Sequence, residues 1–81
     1  MERIKIKKMM DAILIKLGRD AVHDENTELR DLGFRSLDFS ELALRVEMEG
    51  NSELYFDAAA LRRIRTVADV LDFLEEASRA A

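Results

Sequence analysis

Residues 31–51 have the sequence DLGFRSLDFSELALRVEMEGN. Good helix formers follow Ser36, and Gly50 and Asn51 end the run, so the pattern predicts a helix over 37–49. Serine is a preferred N-cap residue, and we expect Ser36 to fill that position. This helix determines how the rest of the chain has to pack, because apolar residues occupy two of its sides.

The helix over 37–49 carries two apolar stripes about 180° apart, at about 100° of rotation per residue. One stripe consists of Phe39, Leu42 and Val46. The other consists of Leu37, Leu44 and Met48, among the polar residues Ser40, Glu41, Arg45 and Glu47. One stripe is enough to attach a helix to a bundle. The second is therefore either buried by a neighbouring helix or left exposed as a docking surface with an acidic border.

Helical periodicity continues on both sides of this segment. Apolar residues at three- and four-residue spacing predict a helix over 4–17, and Thr66 is the expected N-cap of a helix over 67–78. Residues 57–63 form a shorter candidate helix, whereas residues 18–35 lack periodicity and are expected to be a loop. The fold class is all-α, a bundle of three long helices and one short helix. The expected core residues are Ile6, Met10, Ile13, Leu17, Leu42, Val46, Val67, Val70, Leu71 and Leu74.

A chain of 81 residues is long enough for one modest core, so we expect a single domain over 1–81. The loop over 18–35 is long for so small a domain, and loops of this length are often functional. Three apolar residues are expected to attach it to the core: Leu29, Leu32 and Phe34.

Composition excludes several classes of function. The chain has no Cys, which excludes a disulfide framework, a zinc-thiolate site and a catalytic thiol. Its net charge is −4 and its middle is acidic, which argues against non-specific nucleic-acid binding and suits a partner with a basic docking site. No apolar run is long enough to span a membrane, and Asp11 and Lys16 interrupt the first one. We therefore expect no signal peptide, no stable membrane insertion and a cytoplasmic location.

The position of Ser36 suits a phosphate-linked group. The first backbone N–H groups of a helix have no partner within the helix, and the helix dipole is positive at that end. A phosphodiester attached to Ser36 would meet both. The alternative is an ordinary capping serine, which contributes about 1 kcal/mol to the helix.

Residues 31–42, DLGFRSLDFSEL, resemble the phosphopantetheine attachment segment of the acyl carrier protein family. That segment runs Asp-Leu-Gly, two residues, Ser-Leu and then a short acidic helix containing Glu-Leu. Residues 64–70, IRTVADV, resemble the family's Ile-x-Thr-Val motif at the start of its last helix. The separation between the two segments also fits. The resemblance covers nearly the whole chain, weakly in 1–17 and strongly in 29–49 and 64–74.

The resemblance implies an acyl-carrier-protein-like four-helix bundle with no catalytic residues of its own. Separately, no metal site is expected, because the polar residues of 24–28 lack the spacing and the central Gly of a calcium loop. Ser36 would match the serine that receives 4′-phosphopantetheine from coenzyme A through a phosphopantetheinyl transferase. The thiol of this covalent cofactor would then hold an acyl or aminoacyl group as a thioester.

The resemblance also implies where partners dock. The family's docking positions correspond to Leu37, Glu41, Leu44, Glu47 and Met48, with Asp38 close by. Partners would be the transferase and the acyl-loading and acyl-transferring enzymes of fatty acid, lipid or related biosynthesis, and the protein would be a monomer. Small residues would leave room for an acyl chain between helices: Ala43, Ala58, Ala59, Ala60 and Ala68.

Three features depart from the family's pattern. Most members have Asp directly before the serine, where it helps to hold the transferase's metal ion, whereas this chain has Arg35. The short helix near 57–63 ends in Arg62 and Arg63, and residues 1–8 are unusually basic. Arg35 is therefore expected to affect recognition by the transferase. Together, the three departures favour a specialised carrier with dedicated partners. The alternative, which Arg35 favours, is an unmodified helical protein-interaction adaptor that keeps the carrier fold.

Overall fold

The computed structural model describes residues 1–51 and 53–80 and contains five helices within them. The three long helices are α1 (Arg3–Lys16), α3 (Ser36–Gly50) and α5 (Val67–Ala80), and α2 (Leu29–Leu32) and α4 (Ala58–Leu61) are single turns. No strand occurs in this part of the chain beyond an isolated bridge between Glu28 and Thr66. The expected all-α class is confirmed, with one short helix more than the sequence predicted.

Helices α1, α3 and α5 pack against one another in all three pairings and enclose the core. Every expected core residue is buried except Leu17. Residues that complete the core are Leu14, Val22, Phe34, Ala43 and Leu54. The stripe of α3 formed by Phe39, Leu42 and Val46, which we call the inner stripe, faces the core: Leu42 and Val46 are fully buried, and Phe39 packs against the core cluster.

The expectation that Leu17 belongs to the core is wrong. Helix α1 ends at Lys16, and Leu17 lies beyond it as the C-cap, where its side chain is 45 % exposed. Gly18, with a φ of +81°, follows directly and ends the helix, so the buried stripe of α1 stops at Leu14. Leu14, one turn earlier, is fully buried.

The segment over 18–35, expected to be a loop, contains α2, whose single turn is too short to show periodicity. The expected attachment of this segment to the core is confirmed, because Phe34 is buried and Leu29 and Leu32 pack against the core. Gly33 ends α2 with a φ of +70°. A Cβ atom there would lie 2.8 Å from the end of the exposed Arg19 side chain, which can move aside, so the positive φ is what favours glycine at this position.

Backbone hydrogen bonds join this segment to the start of α5. The Leu29 N–H donates to the Arg65 carbonyl at 2.9 Å, and the Ala68 N–H donates to the Glu25 carbonyl at 2.8 Å. Thr66 is the N-cap that the sequence predicted, because its Oγ1 accepts from the Asp69 N–H at 3.2 Å and its own N–H donates to Asp69 Oδ2 at 3.0 Å. Backbone N–H groups of Arg65 and Thr66 hold the pKa of Asp69 below its usual value.

The basic residues near the N-terminus pair with acidic residues of other segments. Arg3 contacts Glu25 of the long loop and both Asp72 and Glu75 of α5. Lys5 pairs with Glu49 of α3 at 2.9 Å. Arg3 and Lys5 therefore form ion pairs within the bundle, and these pairs link α1 to the long loop, to α3 and to α5.

Replacing Leu14 with Ala should lower the free energy of unfolding by about 2–5 kcal/mol, because the truncation leaves a cavity in the core. Leu17→Ala removes the same atoms from an exposed side chain and should change it by no more than about 0.5–1 kcal/mol. Urea unfolding followed by circular dichroism measures both. Equal losses would show that Leu17 belongs to the core after all.

Candidate functional site

Ser36 is the first residue of α3, and the expectation that it is the N-cap is wrong. Arg35 occupies the N-cap position in an extended conformation, with a φ of −107° and a ψ of 177°. The Asp38 carboxylate accepts from the Arg35 N–H at 2.8 Å, and the Arg35 carbonyl accepts from the Phe39 N–H at 2.9 Å. Asp38 thus pairs the N–H of the N-cap residue from inside the helix, and Ser36 Oγ makes no capping hydrogen bond among the described residues.

This arrangement leaves the Ser36 hydroxyl exposed at the positive end of α3. Among the described residues, the hydroxyl makes no hydrogen bond, and the Ser36 carbonyl accepts from Ser40 Oγ at 3.1 Å. The hydroxyl is therefore available to an incoming group, and the neighbouring helix-start N–H groups can stabilise an anion attached to it.

Ser36 is one of the residues that line an open groove of about 900 Å³, together with residues of the α2 segment, of the start of α3 and of 61–65. Its apolar lining consists of Leu29, Phe34, Phe39, Leu61 and Ile64. Its charged lining consists of Glu28, Arg30, Arg35 and Arg65. None of the alanines expected to make room for an acyl chain lines this groove, and Ala43 lies in the core. The side chains that line the groove come from separate segments of the chain. Helical spacing describes one segment at a time, so it does not reveal which side chains of other segments lie nearby.

Three phenylalanines from different segments pack beside the groove. Phe39 of α3 lies 6.0 Å from both Phe56 and Phe73, measured between ring centroids, and Phe56 lies 5.3 Å from Phe73 of α5. This aromatic cluster attaches the segment before α4 to the two long helices. The sequence signal was limited to apolar residues at 56 and 73, and it did not identify the cluster.

The second stripe of α3, which we call the outer stripe, is exposed. Leu37 is 81 % exposed, Leu44 56 % and Met48 73 %. The alternative in which a neighbouring helix buries this stripe is therefore wrong. Apolar side chains this exposed, in a row along one helix, are typical of a protein-interaction surface.

The acidic residues around the outer stripe differ in what they already contact. Glu41 accepts hydrogen bonds from Lys16 and Arg45, each at 2.7 Å, and the hydrogen bond from Lys16 is the main reason that its pKa is lowered. Asp38 is used in the first turn of α3. Glu47 is half-buried and, within the described residues, forms no ion pair.

Comparison with known proteins connects this site to one family. The chain is 38 % identical over 72 residues to an acyl carrier protein found in two strains of Porphyromonas gingivalis, an alignment that covers 86 % of this chain and 90 % of that protein. The crystal structure of an acyl carrier protein from Thermotoga maritima superimposes with a TM-score of 0.68 at 30 % identity, covering 99 % of this chain and 94 % of that one. No protein-family model matches the chain.

These similarities define a carrier protein, which works together with partner enzymes and is not itself an enzyme. The chain belongs to the acyl carrier protein family. Within the described residues, no helix has the length and apolar character needed to cross a membrane.

Replacing Lys16 with Met should raise the pKa of the Glu41 carboxyl group toward its usual value, because the hydrogen bond that favours the charged form is lost. Carbon-13 NMR titration of the glutamate carboxyl groups measures this. Lys8→Met removes an exposed cation of the same helix and should leave the pKa of Glu41 unchanged. Equal titration curves for the wild type and Lys16→Met would contradict the assignment of Lys16 as the main cause.

Proposed function

We propose that residues 1–81 form one carrier domain in which Ser36 bears 4′-phosphopantetheine and the arm holds acyl groups as thioesters. The observation that carries this proposal is the exposed, unbonded Ser36 hydroxyl at the start of α3, beside a groove large enough for a ligand. The similarity to acyl carrier proteins along most of the chain supports it.

The residues around Ser36 fit the proposed cofactor. The phosphodiester would lie at the start of α3, where the helix dipole and unpaired N–H groups favour an anion. The apolar lining of the groove, which includes Phe39 and Ile64, suits an acyl chain that folds back from the arm. When bound, the cofactor supplies the thiol that forms the thioester, and the chain's own residues position and shield what the arm carries.

Attachment of the arm requires a nucleophilic substitution at phosphorus. Ser36 Oγ would form a bond to the coenzyme A phosphorus that bears pantetheine, and the bond from this phosphorus to the second phosphate would break. Adenosine 3′,5′-bisphosphate leaves, and the hydroxyl proton passes to a base of the transferase. The exposure of Ser36 gives the transferase access to this atom without unfolding α3.

The proposed setting is the cytoplasm, where the protein would act as a monomer in fatty acid, lipid or related biosynthesis. Its partners would be a phosphopantetheinyl transferase and the enzymes that load and transfer acyl groups. These partners would dock on the outer stripe, where Leu37, Leu44 and Met48 are exposed. Because Glu47 has no internal ion partner in the described part of the chain, it is the carboxylate best placed to pair with a basic docking site.

A broad-specificity transferase with coenzyme A should add one phosphopantetheine group to the wild type, and Ser36→Ala should abolish the addition. Since Ser36 is not the N-cap, its loss should change the free energy of unfolding by less than about 0.5 kcal/mol. Intact-mass spectrometry after incubation measures the addition. Ser40→Ala, which removes the next hydroxyl along α3, should be modified like the wild type. Modification that persists in Ser36→Ala would refute the site, and an unmodified wild type would favour the adaptor function.

Reversing the charge in Glu47→Lys should slow association with the transferase by up to about 5-fold at low salt, because an exposed ion pair contributes about 0.2–1 kcal/mol. Dissociation should change less, since exposed charges act mainly on the encounter. Glu76→Lys makes the same change at an exposed position of α5 and is the control. Surface plasmon resonance on a Ser36→Ala background measures both rate constants. Equal slowing by the two variants would place docking elsewhere.

Arg35 is proposed to determine which transferase acts on Ser36. A positive charge beside the acceptor hydroxyl repels a divalent metal ion, whereas it attracts a phosphate or a carboxylate. A transferase specialised for carriers with Asp before the serine should therefore modify the wild type slowly, and Arg35→Asp should accelerate it. A dedicated transferase should show the opposite preference. Initial rates measured by mass spectrometry test this, with Arg62→Asp as the control, and equal rates throughout would contradict it.

A further inference from the structure

Three arginines line the groove beside Ser36, and the chain neutralises only part of their charge. Glu28, the one acidic residue among the lining residues, pairs with Arg30 at 3.1 Å and with Arg65 at 3.7 Å. A single carboxylate is thus shared by two guanidinium groups. The third arginine, Arg35, has no ion partner in the described part of the chain. The lining therefore has an excess of two positive charges before any group is attached to Ser36.

The three arginines come from different segments that are held together at the backbone. Arg30 lies in α2, and the hydrogen bond from the Leu29 N–H to the Arg65 carbonyl joins that turn to the segment before α5. Arg35 directly precedes Ser36 at the start of α3. The side chains of Arg30 and Arg65 are 81 % and 76 % exposed, so both can turn toward a ligand in the groove. Guanidinium groups bind phosphate oxygens through two parallel hydrogen bonds, so the cluster suits a ligand with more than one phosphate.

The proposed function brings such a ligand to this place. The phosphorus atom that Ser36 Oγ would attack belongs to the diphosphate of coenzyme A, and the second phosphate leaves as part of adenosine 3′,5′-bisphosphate. The phosphodiester that remains on Ser36 carries one negative charge and balances only one of the two excess positive charges. The charge of the cluster therefore matches the diphosphate of the donor better than it matches the attached arm.

We propose that Arg30, Arg35 and Arg65 form a binding site on the carrier itself for the phosphates of coenzyme A. These arginines are positioning residues, which hold the diphosphate beside Ser36 Oγ before the transfer. Attachment of the arm lowers the excess charge of the lining from two to one and so weakens the hold on the departing bisphosphate. This inference rests on the proposed function, because coenzyme A is the donor only if Ser36 receives the arm.

Binding is tested without a transferase, by NMR titration of the unmodified protein at about 0.1 M salt, where the screening length is about 10 Å. Coenzyme A should shift the Nε–H signals of Arg30, Arg35 and Arg65 in a saturable way. Pantetheine, which lacks phosphate, should leave these signals unchanged. Inorganic phosphate should bind at least about 3-fold more weakly than coenzyme A, because it has one phosphate for three arginines. Raising the salt to about 1 M should remove the shifts, since the screening length falls to about 3 Å.

The double variant Arg30→Gln/Arg65→Gln should bind coenzyme A about 2- to 30-fold more weakly, because each exposed ion pair amounts to about a 1.4- to 5-fold effect. Its control is Lys8→Gln/Arg79→Gln, which loses two exposed cations outside the groove lining and should bind like the wild type.

Removing the competing carboxylate should have the opposite effect. Glu28→Gln frees two guanidinium groups and should strengthen the binding of coenzyme A by about 2- to 5-fold. A folding defect does not produce such a gain. Glu76→Gln removes an exposed carboxylate of α5 and should leave the affinity unchanged.

Equal affinities for coenzyme A and inorganic phosphate, or an unchanged affinity in Glu28→Gln, would overturn the inference. The proposed function would stand in either case if the transferase still modifies Ser36. The form that already bears the arm should bind coenzyme A more weakly than the unmodified protein, and equal binding would place the phosphates away from Ser36 and also overturn the inference. Coenzyme A binding by a protein that no transferase modifies at Ser36 would refute the proposed function and the role of the arginines together.

Discussion

The position of Ser36 and the exposure of the outer stripe both depend on how α3 buries its inner side against α1 and α5. Leu42 and Val46 are almost completely buried, and each such side chain contributes about 1.5–3 kcal/mol of burial free energy. Because helical periodicity fixes the angle between the two sides, this burial also directs Leu37, Leu44 and Met48 to solvent. A rotation of α3 that hid the outer stripe would expose the inner one.

Hydrogen bonds, in addition to apolar packing, hold together the segments that line the groove. The chain before α3 is joined to the start of α5 by hydrogen bonds between backbone groups, such as the bond from the Leu29 N–H to the Arg65 carbonyl. This bond places Arg30 and Arg65 on one groove, although 35 positions separate them in sequence. At the start of α3, the Asp38 carboxylate pairs the Arg35 N–H, and Ser36 Oγ makes no capping hydrogen bond among the described residues. The exposed Ser36 hydroxyl and the groove beside it thus depend on hydrogen bonds that involve different atoms.

The sequence predicted the long helices and the exposed Ser36 because both follow from local pattern and spacing. The prediction failed where the exact residue at which a helix begins or ends mattered. Leu17 continues the apolar spacing of α1, but the helix has already ended at Lys16. The N-cap assignment of Ser36 failed for a similar reason, because α3 already includes Ser36 and Arg35 is its N-cap residue. The groove and the aromatic cluster could not be predicted, since their residues come from segments far apart along the chain. Periodicity carries no information about which loop residue meets which helix.

The aromatic cluster gives the bundle a way to change its internal volume. No backbone hydrogen bond joins residues 53–56 to the helices in the described part of the chain, and Phe56 is attached by contacts between tilted rings. Such contacts are largely non-directional, whereas a backbone hydrogen bond weakens steeply when it is bent or stretched. Outward movement of this segment therefore costs apolar contact area but no backbone hydrogen bond. Under the proposed function, a longer cargo would be accommodated by swelling at this side while α1, α3 and α5 keep their hydrogen bonds.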